Sequence, residues 1–471
     1  MGLHAKGENG VKAILKSRYS RAFRTFTTLG DMRKGIKGLE RDNVVVALDG
    51  NVLMMQVPRD AAAFQAYVGI VANAIKAAMG SAQVVVVVFD EPAILSPAKR
   101  EEQARRDAAR TKTVPLSSED LRPYPTSDDF GMAELHSAAN CHEIVGCRAA
   151  RNRFFDETGR QILARLAKTA KTWEDGGLGS SVVVFDGLDP RGADRPLGAE
   201  REPRMYGSDP VVAALFEHGP EGEGDRKLAL IEQRVREIAL LPEEERPDCL
   251  KNPRLHVTVT IDTDSIAIEL LEKGRRGVEN PLLSECVKGV LCMRERSNKR
   301  DSWDDDPGAV YACLDYDLLF QMLQRDFWGI SREPSPADQR LTIALMVAGW
   351  ALAGCDFTAV KGLRADMVMN AIPSFVKTAP DHLALMAHAW DGDRESVKGL
   401  VPALKRLVLL CAGNYGDQPR AKKATAEALR DVGFGREINP LLRGAWVAAY
   451  WSNNEQRGNL AEFGFTPAYG L

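Results

Sequence analysis

The chain has little that would staple or anchor it from outside. Its eight cysteines follow neither a disulfide framework nor zinc-ligand spacing: Cys141 and Cys147 have five residues between them, as do Cys286 and Cys292, and zinc pairs are usually tighter. They read as reduced thiols of an intracellular protein, cytoplasmic or nuclear. His136, Cys141, His142 and Cys147 have no second matching pair, so they are taken as ordinary residues rather than a metal cluster. No apolar signal segment opens the sequence, whose start is polar and basic, and Lys6 occupies the place where a myristoylation signal needs Ser or Thr. The longest apolar stretch, Leu341–Cys355, is shorter than a bilayer-spanning helix and runs into Asp356, so no membrane partner is expected. Neither a Gly-x-Ser-x-Gly elbow nor a glycine-rich phosphate loop ahead of Lys-Ser/Thr is present, and no internal repeat is visible.

An excess of positive charge is missing too. Lys and Arg number 62 against 65 Asp and Glu, a formal net charge of −3, whereas nucleic-acid binders usually carry a basic footprint. Two observations weaken that exclusion. Acids that hold cations do not repel a polyanion, and the positive charge is clustered near the start, in Lys6, Lys12, Lys16, Arg18, Arg21, Arg24, Arg33, Lys34, Lys37 and Arg41. Such a run fits either a polyanion-binding surface or a solvated face.

What is present is enough apolar material, 45% of 471 residues, for one large α/β domain and a smaller one. Strands are expected at Asn43–Gly50, Gln83–Asp90, Ser181–Asp186, Arg254–Asp262 and, more weakly patterned, Ala309–Leu314. Helical patterns lie between them at Asp60–Met79, Pro97–Arg110, Arg160–Trp173, Asp225–Leu241, Leu318–Arg325 and Leu341–Ala353. This alternation implies a mostly parallel sheet flanked by helices. After Asp356 the patterns are helical, including Leu363–Ile372, Ser396–Cys411, Ala421–Asp431 and Asn439–Trp451. The expected organisation is therefore an α/β core over residues 1–372 and a C-terminal helical region over 373–471. Long irregular stretches at about 111–134, 187–220 and 297–308 interrupt the core, and loops of that length tend to be functional.

Seven acids recur where strand-like runs end or the following helices begin: Asp49, Asp90, Glu223, Asp225, Asp262, Asp264 and Asp356. A strand buried on both faces reads as a continuous Val/Ile run, as in Val84 to Val88, and open α/β sheets bind ligands beyond the carboxyl ends of such strands. Carboxylates gathered there repel one another unless hard divalent cations sit between them. A lone Asp at a strand end is more often a helix cap. Asp262 and Asp264 are firmer, because alternate residues of a strand point the same way and both can face one ion. Asp186, in a Val-Val-Val-Phe-Asp run like that ending at Asp90, is a further acid of the same kind. Oxygen ligands suit Mg²⁺ or Mn²⁺, and two such ions ~3.5–4 Å apart suffice for phosphodiester hydrolysis. Beyond Asp90, Lys99, Gln103 and Arg106 fall on one face of a helix, and Arg and Lys are the natural donors to phosphate.

Together these residues resemble the 5′-nuclease superfamily, which includes flap endonucleases and XRN-type 5′→3′ exoribonucleases, with a PIN-like core. Gly222-Glu223-Gly224-Asp225-Arg226-Lys227-Leu228 is similar to the XRN-type motif Gly-Glu-Gly-Glu-His-Lys-Ile, and Gly354-Cys355-Asp356-Phe357 to Gly-Asn-Asp-Phe. Gly10-Val11 with Lys16-Ser17-Arg18-Tyr19 resembles the family's N-terminal helix, and Thr158-Gly159 with Leu163-Ala164-Arg165-Leu166 its segment before the third strand. The resemblance spans roughly residues 10–372. It implies that the seven acids bind two Mg²⁺ or Mn²⁺ ions, and that Lys99, Gln103, Arg106 and Arg105 form a pocket for a 5′-phosphate. Asp225 stands where the family has Glu and Arg226 where it has His, and Glu221 with Glu223 is the alternative pairing in this motif. The implied activity is metal-dependent 5′→3′ cleavage of RNA or of single-stranded or branched DNA. The alternative is a catalytically silent descendant that binds nucleic acid or serves a structural role. Trp446, Tyr450 and Trp451, at helical spacing, fit base stacking in principle, and one-faced aromatics are more often core.

Overall fold

The computed structural model describes residues 3, 10–35, 39–55, 64–90, 224–295, 310–355, 358–391, 394–414, 416, 418–429 and 440–452, with 158–159, 161–162, 165–166, 182–186, 205–206 and 215 between them. In chain order the described elements begin with α1 (Val11–Arg18), β1 (Phe23–Phe26), α2 (Leu29–Lys34), β2 (Val44–Asp49), α3 (Gly50–Met55), α4 (Phe64–Met79) and β3 (Val84–Val88). There follow β4 (Val182–Asp186), β5 (Met205–Tyr206), α5 (Gly224–Leu240), β6 (Leu255–Thr260), α6 (Asp264–Glu279), α7 (Pro281–Glu285), β7 (Lys288–Glu295) and β8 (Val310–Asp315). The rest is helical: α8 (Tyr316–Trp328), α9 (Pro336–Ala353), α10 (Ala365–Thr378), α11 (Pro380–Ala384), α12 (Arg394–Gly413), α13 (Pro419–Leu429) and α14 (Pro440–Ser452).

The strands form one sheet in the order β1-β8-β7-β6-β2-β3-β4-β5. The central run from β7 to β4 is parallel and both edges are antiparallel. From β2 the chain builds outward through β3 and β4, then returns to the other side of β2 with β6 and β7. The direction of growth thus reverses between β2 and β6, the switch point at which open α/β sheets leave a crevice beyond the strand carboxyl ends.

The valine runs are explained by burial on both faces. Val44, Val46 and Leu48 of β2 pack with Val68, Val71 and Ile75 of α4, whereas Val45 and Ala47 pack with Leu228, Ile231 and Val235 of α5. The α6 side is continuous with the C-terminal helices: Ile268 and Leu271 share one core with Trp350 of α9, Val368 and Ile372 of α10, Leu404 of α12 and Trp446 and Trp451 of α14. The expected boundary after 372 falls inside α10, and both sides of it contribute to that core. Trp446 and Trp451 are core residues.

Several expectations change. β1 and β7 were absent from the strand candidates. β7 reads poorly because Lys288, Gly289, Arg294 and Glu295 frame a short apolar centre. Its glycine is required, because a Cβ there would lie 1.4 Å from the Tyr316 hydroxyl oxygen. The 187–220 stretch is not wholly irregular: Met205 and Tyr206 pair antiparallel with Asp186 and Phe185, and Leu215 is buried in the α5 core. The remainder of that stretch, 111–134, 297–308 and the Pro97–Arg110 helix lie outside the described residues. Of Arg160–Trp173, the described positions are helical, with Ile162 and Leu166 buried against α4. Among the described residues no helix is long and apolar enough to cross a membrane, and the six described cysteines are free thiols.

Candidate carboxylate site at the switch point

Asp49 is the last residue of β2 and is 8% exposed. Its Oδ1 accepts the Val52 amide at 3.0 Å, capping α3, and its Oδ2 accepts the Thr260 hydroxyl from neighbouring β6 at 3.1 Å. Asp90 lies just past β3, half-buried, and its Oδ1 accepts the Gly224 amide at 2.7 Å. Gly224 opens α5, so this carboxylate sits where a helix start presents unpaired N–H groups and positive dipole. A Cβ at Gly224 would come within 3.2 Å of that oxygen, which is why a glycine here lets strand end and helix start dock.

The next residue, Asp225, accepts the Ser265 hydroxyl at 2.5 Å across to α6. Asp264, 7% exposed, is the first residue of α6, and its amide donates to Asp262 Oδ1 at 3.4 Å. The Asp262 amide in turn donates to Thr260 Oγ1 at 3.1 Å, and Thr260 returns to Asp49. Five acids, at the end of β2, just past β3, in the turn after β6 and at the starts of α5 and α6, are therefore tied by these bonds into the region beyond the strand carboxyl ends.

Burial pushes the Asp49 carboxyl up from 3.8 to about 7. The Val52 amide opposes this rise, the negative charges of Asp90 and Asp262 add to it, and the Thr260 hydroxyl opposes it again. The charges of Asp90 and Asp262 thus both act on Asp49. An all-oxygen donor set whose ionised form is disfavoured by burial and like charge fits a hard divalent cation, which would relieve both penalties. Among the described residues no group of three or more His, Cys, Asp or Glu side chains is arranged to hold a metal ion.

Of the seven acids, Asp49, Asp90, Asp225, Asp262 and Asp264 are placed here. Glu223 and Asp356 lie outside the described residues, as do Glu221, Lys99, Gln103, Arg105 and Arg106. The pairing of Asp262 and Asp264 as alternate residues of one strand is corrected: β6 ends at Thr260, Asp262 occupies the turn and Asp264 begins a helix. Asp186 ends β4 on the far side of β3. Thr260 and Ser265, whose hydroxyls donate to Asp49 and Asp225, are not among the sequence candidates. Their signal was the interleaving of hydroxyls with acids from Thr260 to Ser265.

Behind the site, between α5 and α6, lies a buried ionic cluster that sequence patterning did not reveal. Glu232 accepts Arg236 Nε at 2.7 Å and Arg276 Nη2 at 3.4 Å, and also accepts the Tyr316 hydroxyl. Burial alone would raise Glu232, but Arg236 and Arg276 hold it well below the usual carboxylate range. Burial pushes His256 of β6 down to about 4, with Glu232 opposing and the two arginines reinforcing, so the imidazole is neutral. Burial pushes Glu269 up, aided by the charge of Glu232.

No family model matches the chain, and no curated protein matches it.

Proposed function

We propose that the chain is a metal-dependent nuclease with a PIN-like core that hydrolyses phosphodiester bonds near the 5′ end of RNA or of single-stranded or branched DNA. The observation that carries this reading is the linked set of Asp49, Asp90, Asp225, Asp262 and Asp264 at the sheet's switch point. Asp49, Asp90 and Asp262 would hold Mg²⁺ or Mn²⁺ from the strand side, and Asp225 and Asp264 from the helix starts. Glu223 and Asp356 complete the set by their motifs. Two such ions, when bound, supply a nucleophile at neutral pH and neutralise the charge on the phosphodiester. Thr260 and Ser265 orient the carboxylates they touch, and the Gly224 amide holds Asp90 at the start of α5. Lys99, Gln103, Arg105 and Arg106 would read the 5′-phosphate. Six free thiols favour a reducing, intracellular setting.

The test is cleavage of end-labelled RNA and DNA, bearing 5′-phosphate or 5′-hydroxyl ends, in Mg²⁺, Mn²⁺ or EDTA. Metal-dependent loss of label in the wild type, abolished in Asp262→Asn, supports the reading. Binding without cleavage on every substrate would replace it with the silent descendant.

A further inference from the structure

The two helices that carry Asp225 and Asp264 are tied to the last described helix through one side chain. Arg226, 5% exposed, follows Asp225; its Nη1 donates to Glu272 Oε1 on α6 at 2.8 Å and to the Trp451 main-chain carbonyl at 2.9 Å. Trp451 lies in the last turn of α14, where carbonyls lack partners within the helix and a cation is favoured by the helix dipole. Glu272, 2% exposed, gives its other oxygen to Arg275 at 2.7 Å, so its orientation is fixed from two sides. α14 cannot drift freely, because Trp446 and Trp451 are packed in the core with α9 and α12. A buried guanidinium whose acceptors come from two other helices has essentially one place to sit. Any shift of Arg226 moves Asp225 relative to Ser265.

We propose that Arg226 is a positioning residue for the carboxylate site, and that α14 acts through it as part of the site's scaffold, setting how the starts of α5 and α6 face each other. The activity and metal readouts rest on the nuclease reading. The structural readout does not.

Three measurements on the 471-residue chain test this, comparing wild type with Arg226→Met and Arg226→Lys. In hydrogen exchange, Arg226→Met should accelerate amides 224–228 and 264–268 together with those at 448–452, and Arg226→Lys should fall between it and wild type. In Mn²⁺ titration followed by electron paramagnetic resonance, Arg226→Met should weaken binding about tenfold, as loss of outer-shell support does. In cleavage, kcat should fall by a similar factor, about tenfold, with KM for the nucleic acid nearly unchanged. Faster exchange confined to 448–452, or unchanged exchange, would overturn the proposal, as would wild-type Mn²⁺ affinity in Arg226→Met where the wild type binds the ion. A wild type that neither binds Mn²⁺ nor cleaves defeats the nuclease reading and leaves exchange to decide this one. Should Arg226→Met fail to fold, Arg226→Lys carries the same comparison, and wild-type exchange in it counts against the proposal.

Discussion

Asp49→Asn is expected to stabilise the metal-free protein while destroying its response to metal. The carboxyl titrates at 3.8 when unfolded and about 7 in the fold. A raised pKa means the stability it contributes is complete below 3.8 and is lost as pH rises through about 7. At 1.36 kcal/mol per unit, the raised carboxyl costs the fold about 2 kcal/mol at pH 5, where folding must keep it protonated, and about 4 kcal/mol at pH 8, where it is ionised. Asparagine removes that cost and keeps both contacts: its carbonyl accepts the Val52 amide, and its amide donates to Thr260, whose oxygen has a second lone pair. The shift already includes the bonds from Val52 and Thr260, so the net gain is about 4 kcal/mol at pH 8 and about 2 kcal/mol at pH 5. With an unfolding entropy of about 1 kcal/mol/K for 471 residues, Tm should rise by about 4 °C at pH 8 in EDTA. Differential scanning calorimetry at both pH values, with and without Mn²⁺, checks this. The wild type should gain Tm on adding Mn²⁺ and the variant should not. An Asn variant destabilised to the same degree at pH 5 and pH 8 would refute the placement of Asp49 as a carboxylate opposed by burial and by Asp90 and Asp262.

Three further predictions follow from contacts near the site. Thr260→Val deprives Asp49 of a donor and the Asp262 amide of its acceptor; it should cost about 1–3 kcal/mol in urea unfolding and reduce metal-dependent cleavage, with Thr260→Ser recovering both. His256, ordinarily near 6.5 and held at about 4, is depressed, so its contribution is complete above pH 6.5 and lost as pH falls toward 4. Acid unfolding should therefore show a loss of up to about 3 kcal/mol over that window, flattened in His256→Asn. Gly289→Ala drives a methyl into the Tyr316 ring and displaces it from Glu232, and soluble expression or cooperative unfolding should be lost.

Much of the site was legible because its strands are buried on both faces. Val44–Leu48 and Val84–Val88 announce themselves as apolar runs and Leu255–Thr260 as an alternation of apolar and polar residues, and each delivers an acid at or just past its end. Their convergence beyond the strand carboxyl ends was expected from α/β topology rather than from the acids themselves, and the strand order adds that β2 and β6 flank the switch point. Where the strand stops was harder to see: alternation continues from Val259 through Asp264, yet Thr260 turns its hydroxyl to cap the Asp262 amide and the helix begins at Asp264. The buried ionic cluster was hidden for a different reason. Glu232 and Arg236 are spaced four residues apart, the pattern of a solvated helix pair, and only the packing of α5 against α6 buries them completely. The edge strand Met205–Tyr206 is too short to leave a periodic signature.

Anomalous diffraction from crystals grown with Mn²⁺ tests the central claim most directly. The account predicts a peak about 2.1 Å from carboxylate oxygens drawn from Asp49, Asp90 and Asp262, with any second ion on the side of Asp225 and Asp264. Crystals that carry Mn²⁺ elsewhere on the protein while leaving these carboxylates without a peak at saturating metal would contradict it.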